Sequence, residues 1–127
     1  MSSILALSSA SVSSVPAMHA LQVQMVEMLK EYKALDVLIL DVHALTSWAD
    51  TFLICTATSN RHAKAIAKAL VKRVKAHGIR PSSLEGLEAG EWVLINLAGI
   101  IIHIMLKEQR EWYQLEKLWT PLSETQN

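Results

Sequence analysis

The sequence predicts one α/β domain in which a single mixed β-sheet is packed by helices. Short, continuous apolar runs are typical of strands buried on both faces. They alternate with stretches whose apolar residues recur every three or four positions, which is typical of amphipathic helices. The predicted order is α-β-β-α-β-β-α, and the length of 127 residues with 51% hydrophobic composition suits one ordinary domain.

The first sixteen residues differ in composition from the rest of the chain. They are rich in serine and small apolar residues, and no charged side chain precedes Glu27. They lack the basic stretch of a secretory signal and the arginines of a mitochondrial presequence. We therefore expect residues 1–16 to form a mobile tail, residues 17–120 the domain, and residues 121–127 a C-terminal tail.

The first helix and the first two strands are predicted after Pro16. A helix over residues 18–32 is indicated by a stripe of apolar residues at helical spacing: Leu21, Met25, Met28 and Leu29. The apolar runs at 37–40 and Thr51–Ala57 predict two central strands, covered on both faces. Residues 44–50 between them are expected to form a loop.

The second helix is predicted to begin at Thr58 or Ser59, which can cap it, and to end at Gly78. Its core face would hold Ala63, Ile66, Ala67, Leu70 and Val74. The opposite stripe is basic and consists of Arg61, Lys64, Lys68, Lys72 and Lys75. Two interpretations stay open for this stripe: a solvated helix face, or a salt-dependent contact with nucleic-acid phosphates.

The C-terminal half is predicted to hold an acidic loop at 85–90, a hairpin and a helix. The strands Trp92–Leu97 and Ile100–Leu106 flank Ala98-Gly99, which is a hairpin signal. In the last helix, over 109–119, one face carries Trp112, Leu115 and Trp119, which we expect to close the core. The other face carries Gln109, Tyr113 and Glu116.

The residues that carry chemistry are dispersed. Five histidines stand at 19, 43, 62, 77 and 103 without the spacing of a metal site, and the formal net charge is zero. Cys55 is the only cysteine, so we expect a buried, inert thiol in a reducing compartment. We predict no metal, no cofactor, no catalytic residue and no membrane span. A weaker hypothesis is anion binding at the helix start by Ser59, Arg61 and His62.

Four stretches together resemble the Iojap family of ribosomal silencing factors. They read Thr-Ala-Thr-Ser-Asn-Arg-His at 56–62, Glu-Gly-Leu-Glu-Ala-Gly-Glu-Trp-Val-Leu at 85–94, His-Ile-Met at 103–105, and Tyr-Gln-Leu-Glu-Lys-Leu-Trp at 113–119. The last is the most specific. The sequence departs from the family at 96–99, where Asn-Leu-Ala-Gly replaces a usual Asp-Leu-Gly-Asp, and at Ala57, which replaces a common glycine.

The resemblance implies a nucleotidyltransferase-like fold, no enzymatic activity and a cytoplasmic location. It also implies binding to the large ribosomal subunit through the fourteenth protein of that subunit, which blocks subunit joining and represses translation when nutrients are scarce. Together with the aromatic and acidic residue types, it indicates a partner-binding set of Glu85, Glu91, Trp92, His103, Tyr113 and Glu116. For the basic stripe, it makes the nucleic acid of the second interpretation ribosomal RNA, contacted at the periphery by Lys64, Lys68 and Lys72. Two alternatives stay open for the function: an enzyme of this fold that handles nucleotides or phosphate, and a dimeric scaffold. Monomer and homodimer are both compatible with the sequence.

Overall fold

Nine helices and strands follow one another over residues 15–119, the part of the chain that this computed structural model describes. In chain order they are α1 (Val15–Glu31), β1 (Leu35–Asp41), β2 (Thr51–Ala57), α2 (Asn60–Ala76), β3 (Ser83–Glu85), β4 (Trp92–Leu97), β5 (Ile100–Leu106), α3 (Lys107–Tyr113) and α4 (Leu115–Leu118). Helix α1 includes residues 15 and 16, which we had assigned to the tail. The rest of that predicted tail, and residues 120–127, lie outside the described residues.

The five strands form one mixed sheet in the order β1-β2-β5-β4-β3. Strands β2 and β5 are parallel, and the other neighbours are antiparallel. The predicted mixed sheet packed by helices is thus confirmed, and β2 is central as expected. Strand β1 is not central, because it lies at the edge, where Leu35 and Ile39 are 48% and 46% exposed. A run of aliphatic residues does not distinguish a central strand from an edge strand that has one covered face.

Helices α1 and α2 cover the first face of the sheet. Leu21, Met25 and Leu29 of α1 are fully buried there against the odd-numbered residues of β2 and the even-numbered residues of β5. Each such side chain contributes about 1.5–3 kcal/mol through removal from water. The stripe that predicted α1 is therefore the stripe that forms this core.

Helix α2 begins and ends as its sequence predicts. Ser59 is extended and its hydroxyl accepts a hydrogen bond from the amide of His62 at 3.0 Å, which satisfies one of the free amides of the first turn. At the other end Gly78 has a φ of +85°, and the next amide, of Ile79, donates to the Val74 carbonyl at 2.9 Å. All five predicted core residues of α2 are buried.

The second face of the sheet carries a smaller apolar cluster. It is covered by the loop before β2 and by α3 and α4, with Leu115 as the buried residue of the C-terminal helices. The cluster consists of Val42, Ala49, Phe52, Ile54, Ile101, Met105 and Leu115. Because the two C-terminal helices are short and bury only Leu115, aromatic side chains of this face lie near the surface.

The predicted last helix is wrong in one respect, because it is two short helices. Gln114 has a left-handed φ of +48° and ends α3, after which α4 runs in a new direction. Leu115 is buried and Trp119 is partly buried, as expected for core residues, but Trp112 is 82% exposed. The break rotates Trp112 off the stripe on which a continuous helix would have placed it.

Two further features differ from the prediction or complete it. The three-residue strand β3, which pairs with β4, was not predicted, and Glu85 belongs to it rather than to a loop. The hairpin at Ala98-Gly99 is confirmed, with φ values of +52° and +95°. Asn96 in the altered turn accepts a hydrogen bond from the Gly99 amide at 3.3 Å, so it stabilises this turn from within.

Candidate functional site

Six rings form a connected row on the second face of the sheet. Phe52 lies in the middle, with its ring centroid 4.7 Å from that of His103 and 5.1 Å from that of Trp119. At one end Trp92 and Tyr113 are 4.8 Å apart, and at the other Trp48 lies 5.8 Å from Trp119. We call this set the aromatic row: Trp48, Phe52, Trp119, His103, Trp92 and Tyr113.

Strand register places Trp92 and His103 side by side. In the antiparallel β4–β5 pair, Leu94 lies opposite His103 and Trp92 opposite Met105, so all four side chains share the second face. The indole N–H of Trp92 donates a hydrogen bond to Nδ1 of His103 at 3.0 Å. His103 is only 4% exposed. It therefore lies behind the surface and orients Trp92, instead of reaching a partner itself.

The buried ring of His103 is neutral. Burial lowers its pKa to about 4 from an ordinary value of 6.5. Because Nδ1 accepts from Trp92, the proton of the neutral ring is on Nε2, and this atom is buried without a hydrogen-bond partner among the described residues. A charged imidazole here would lose the acceptor that holds Trp92.

Acid should therefore destabilise the protein through His103. The unfolded chain binds a proton at His103 more tightly than the folded protein does. The stability that the neutral ring contributes is therefore fully present above about pH 6.5 and is lost as the pH falls towards 4. We expect this group alone to lower the free energy of unfolding by about 3 kcal/mol across that window. Urea unfolding at several pH values should show a smaller acid loss in His103→Leu than in the wild type.

The matched control for this prediction is His43→Leu. His43 is exposed and Asp41 raises its pKa through a 2.6 Å hydrogen bond, so its removal cannot relieve an acid loss. If wild type and His103→Leu lose the same free energy on acidification, His103 is not the group responsible.

The two ends of the aromatic row reach the solvent. Tyr113 is 48% exposed and Trp48 is 58% exposed, while Trp92 is half-buried between the row and the surface. Glu85 and Glu91 are exposed and lie beside Trp92. Glu85 is close to it because it pairs with Leu94 on the neighbouring strand, and Glu91 directly precedes it in the chain. Amphipathic rings bordered by acids form a surface suited to a protein partner with cationic side chains.

Glu116 has a role within the fold. Its carboxylate accepts a hydrogen bond from Nε of Arg110 at 3.1 Å, and the two side chains are 33% and 12% exposed. Nη1 of Arg110 also donates to the Asp36 carbonyl at 2.7 Å and to the Thr56 hydroxyl at 2.9 Å. Arg110 thus connects α4 to β1 and β2, and it holds the two short helices that carry Tyr113 and Trp119.

The turn before α2 is largely satisfied by the protein itself. His62 accepts a hydrogen bond from the Thr58 amide at Nδ1 and lies 2.9 Å from the Tyr32 carbonyl through Nε2. Ser59 caps the helix, and Arg61 is exposed. The three residues of the anion hypothesis lie together, but two of them have structural partners. Anion binding at this turn stays a prediction.

The basic stripe of α2 lies on the side of the molecule opposite the aromatic row. Arg61, Lys68, Lys72 and Lys75 are exposed, and Lys64 is partly covered by Gly90. Within residues 15–119 none of these five side chains takes part in an ion pair. Like charges four residues apart destabilise a helix by about 0.2–0.5 kcal/mol per pair. Lys64, Lys68 and Lys72 form two such pairs.

Other kinds of site find little support among the described residues. No group of three His, Cys, Asp or Glu side chains there could hold a metal ion, and no helix there has the length and hydrophobicity needed to span a membrane. Cys55 is buried, and burial raises the pKa of its thiol to about 12. A cleft of about 560 Å³ lies next to Arg110 and Glu116, and both cationic and acidic side chains line it.

Two residues of this surface were missed at the level of sequence. Trp48 lies in the loop before β2, and a large aromatic residue outside the predicted helices and strands was the signal that could have identified it. Arg110 gave no such signal, because its partner Glu116 is six residues away, which is not a helical spacing.

An α/β fold with an aromatic row whose two ends are exposed, beside acidic side chains, is typical of a protein that acts through a contact surface. A family model described as "Ribosomal silencing factor during starvation" matches residues 16–127. The chain belongs to this family of ribosomal silencing factors.

Individual relatives agree with this assignment. The ribosomal silencing factor RsfS of Bacillus subtilis is 37% identical over 87 residues, which is 68% of this chain and 74% of the relative. A mouse protein named "Mitochondrial assembly of ribosomal large subunit protein 1" is 36% identical, over 76% of this chain and 43% of its own length. A crystal structure of a Chromobacterium violaceum protein superposes with a TM-score of 0.76 at 34% identity, covering 80% of this chain and 84% of that one.

Proposed function

We propose that this protein represses translation by binding the large ribosomal subunit and blocking its union with the small subunit. The observation that carries the proposal is the aromatic row, which leaves Trp92, Tyr113 and Trp48 at the surface of a chain that belongs to the silencing-factor family. Large aromatic side chains that are rigidly held and only partly covered are the residues that dominate protein interfaces.

The partner within the subunit is, in this proposal, its fourteenth protein. Glu85 and Glu91 flank Trp92 and would face cationic side chains of the partner, which speeds association and selects the orientation. His103 and Glu116 contribute from behind, through Trp92 and Arg110. The proposed action is steric and needs no catalysis.

A second contact belongs to the same proposal. On the opposite side, Lys64, Lys68 and Lys72 would lie against ribosomal RNA at the periphery of the binding site. The phosphate-handling alternative receives less support, because His62 and Ser59 are occupied by the Thr58 amide, the Tyr32 carbonyl and the helix cap.

The proposal is tested by sedimentation with purified ribosomal particles. We expect the protein to co-sediment with large subunits and not with joined ribosomes, and to reduce the yield of joined ribosomes when small subunits are added afterwards. Cross-linking of the pelleted complex, followed by mass spectrometry, should join the segment around Trp92 to the fourteenth protein. Equal binding to joined ribosomes, or unimpeded joining, would contradict the proposal.

A further inference from the structure

The basic stripe of α2 is a continuous cationic surface of defined length. At 3.6 residues per turn, its five side chains project within an arc of roughly 80°, and at 1.5 Å per residue they extend over about 21 Å. The buried side chains of α2 project in the reverse direction, into the core. The stripe is therefore directed away from the sheet and is open to a partner along its length.

The stripe lacks the acidic residues that neutralise the basic ones on an ordinary solvated helix face. Such faces alternate acidic and basic residues four positions apart, and α2 contains no acidic residue at all. The one ion pair of α2 within the described residues joins Arg73 to Glu31 of α1, and position 73 lies off the stripe. Five cations are thus held side by side without protein counterions, on a chain of zero net charge.

We infer that this face binds the phosphate backbone of double-stranded RNA without regard to base sequence. The inference rests on the proposed function and specifies which part of the RNA the peripheral contact recognises. Double-stranded DNA carries roughly one phosphate charge per 1.7 Å of its axis, and an RNA duplex likewise has two phosphates per base pair, so about 21 Å of helix can be matched by several phosphates. No aromatic ring lies among the five cations, which disfavours single-stranded RNA, because stacking on exposed bases needs one.

The first turn of the stripe is connected to the loop that precedes Trp92, although the stripe and the aromatic row lie on opposite sides of the sheet. The Asn60 side chain at the start of α2 donates to the Ala89 carbonyl at 2.9 Å, and Gly90 lies against Lys64. The acidic loop that borders Trp92 is thus joined to the first turn of the basic stripe. A protein partner at Trp92 and an RNA duplex along α2 would meet at this junction without overlapping.

The test is the binding of the whole chain to a fluorescent RNA duplex of arbitrary sequence, followed by anisotropy at several salt concentrations. The variant Lys68→Gln/Lys72→Gln removes two exposed charges of the stripe, and Lys107→Gln/Lys117→Gln removes two exposed charges elsewhere. We expect the stripe variant to bind about tenfold more weakly at low salt, with the slope of log affinity against log salt reduced by about 1.8. The control variant should retain wild-type binding.

Three results would overturn the inference: no binding of the duplex by the wild type at low salt, equal loss in both double variants, or equally good competition by polyglutamate. The last would point to an acidic protein as the partner. Failure of the proposed function is distinguishable, because Trp92→Ala should weaken sedimentation with large subunits by about thirtyfold or more and leave duplex binding unchanged. Circular dichroism confirms that each variant is folded.

Discussion

Replacing Trp92 with alanine is expected to lower the affinity for large ribosomal subunits by about thirtyfold or more. The indole lies between the rings of His103 and Tyr113, near one end of the aromatic row, and it contacts both. Central aromatic residues of this kind contribute about 2 kcal/mol or more to binding, and each 1.4 kcal/mol changes the dissociation constant tenfold. The measurement is titration of the labelled protein with purified subunits, read out by sedimentation.

The Trp92 change also removes the hydrogen bond to His103, so a second pair of variants separates binding from stability. Tyr113→Ala removes an exposed ring that packs against Trp92, and Trp112→Ala removes a neighbouring ring that is 82% exposed and outside the aromatic row. We expect about tenfold weaker binding for Tyr113→Ala and no change for Trp112→Ala. Equal effects at the two positions, or wild-type binding by Trp92→Ala, would remove the aromatic row from the interface.

The strands and helices whose ends carry local signals could be predicted from the sequence. Strands β2, β4 and β5 have the predicted bounds, because their apolar runs are interrupted by turn residues such as Ala98 and Gly99. Helix α2 is bounded by Ser59 and Gly78, whose side-chain chemistry and conformational freedom are local properties. The signal is strong wherever a boundary depends on one or two neighbouring residues.

Features that depend on tertiary contacts could not be predicted in the same way. The break at Gln114 places a non-glycine residue in the left-handed region, and only the packing of α4 against the sheet explains it. The position of β1 at the edge of the sheet depends on the order of the strands, which the sequence leaves open. The candidate site was accordingly predicted in part: Trp92 and Tyr113 as surface residues, but His103 and Glu116 without their supporting roles.

The supporting roles have a physical consequence for the interface. A ring at the surface is an effective anchor only when its orientation is fixed before binding, since ordering it afterwards reduces the net affinity. His103 fixes Trp92 through one hydrogen bond, and Arg110 fixes the helices that carry Tyr113 and Trp119 through three. In the proposed interface, the residues that would contact the partner therefore differ from the residues that fix their orientation.

Replacing Arg110 with methionine is expected to destabilise the protein by about 2–3 kcal/mol and to lower its melting temperature by roughly 10 °C. Methionine keeps much of the unbranched apolar stem but leaves the Glu116 carboxylate, the Asp36 carbonyl and the Thr56 hydroxyl without their shared donor. Since Arg110 is mostly buried, solvent replaces these bonds poorly. Thermal and urea unfolding measure the effect, with Lys117→Met, an exposed cation of α4, as the matched control.

A double-mutant cycle identifies which of these bonds matters. Glu116→Gln weakens the ion pair and keeps the bonds of Arg110 to Asp36 and Thr56, whereas Arg110→Met removes all three bonds, so the cycle isolates the coupling between the two side chains. We expect a coupling of about 1 kcal/mol or more, with the remaining loss due to the bonds to Asp36 and Thr56. A stability loss no larger than that of Lys117→Met would show that α3 and α4 are held by apolar packing alone. In that case Leu115 and Trp119, which pack onto the second apolar cluster, would fix the orientation of Tyr113.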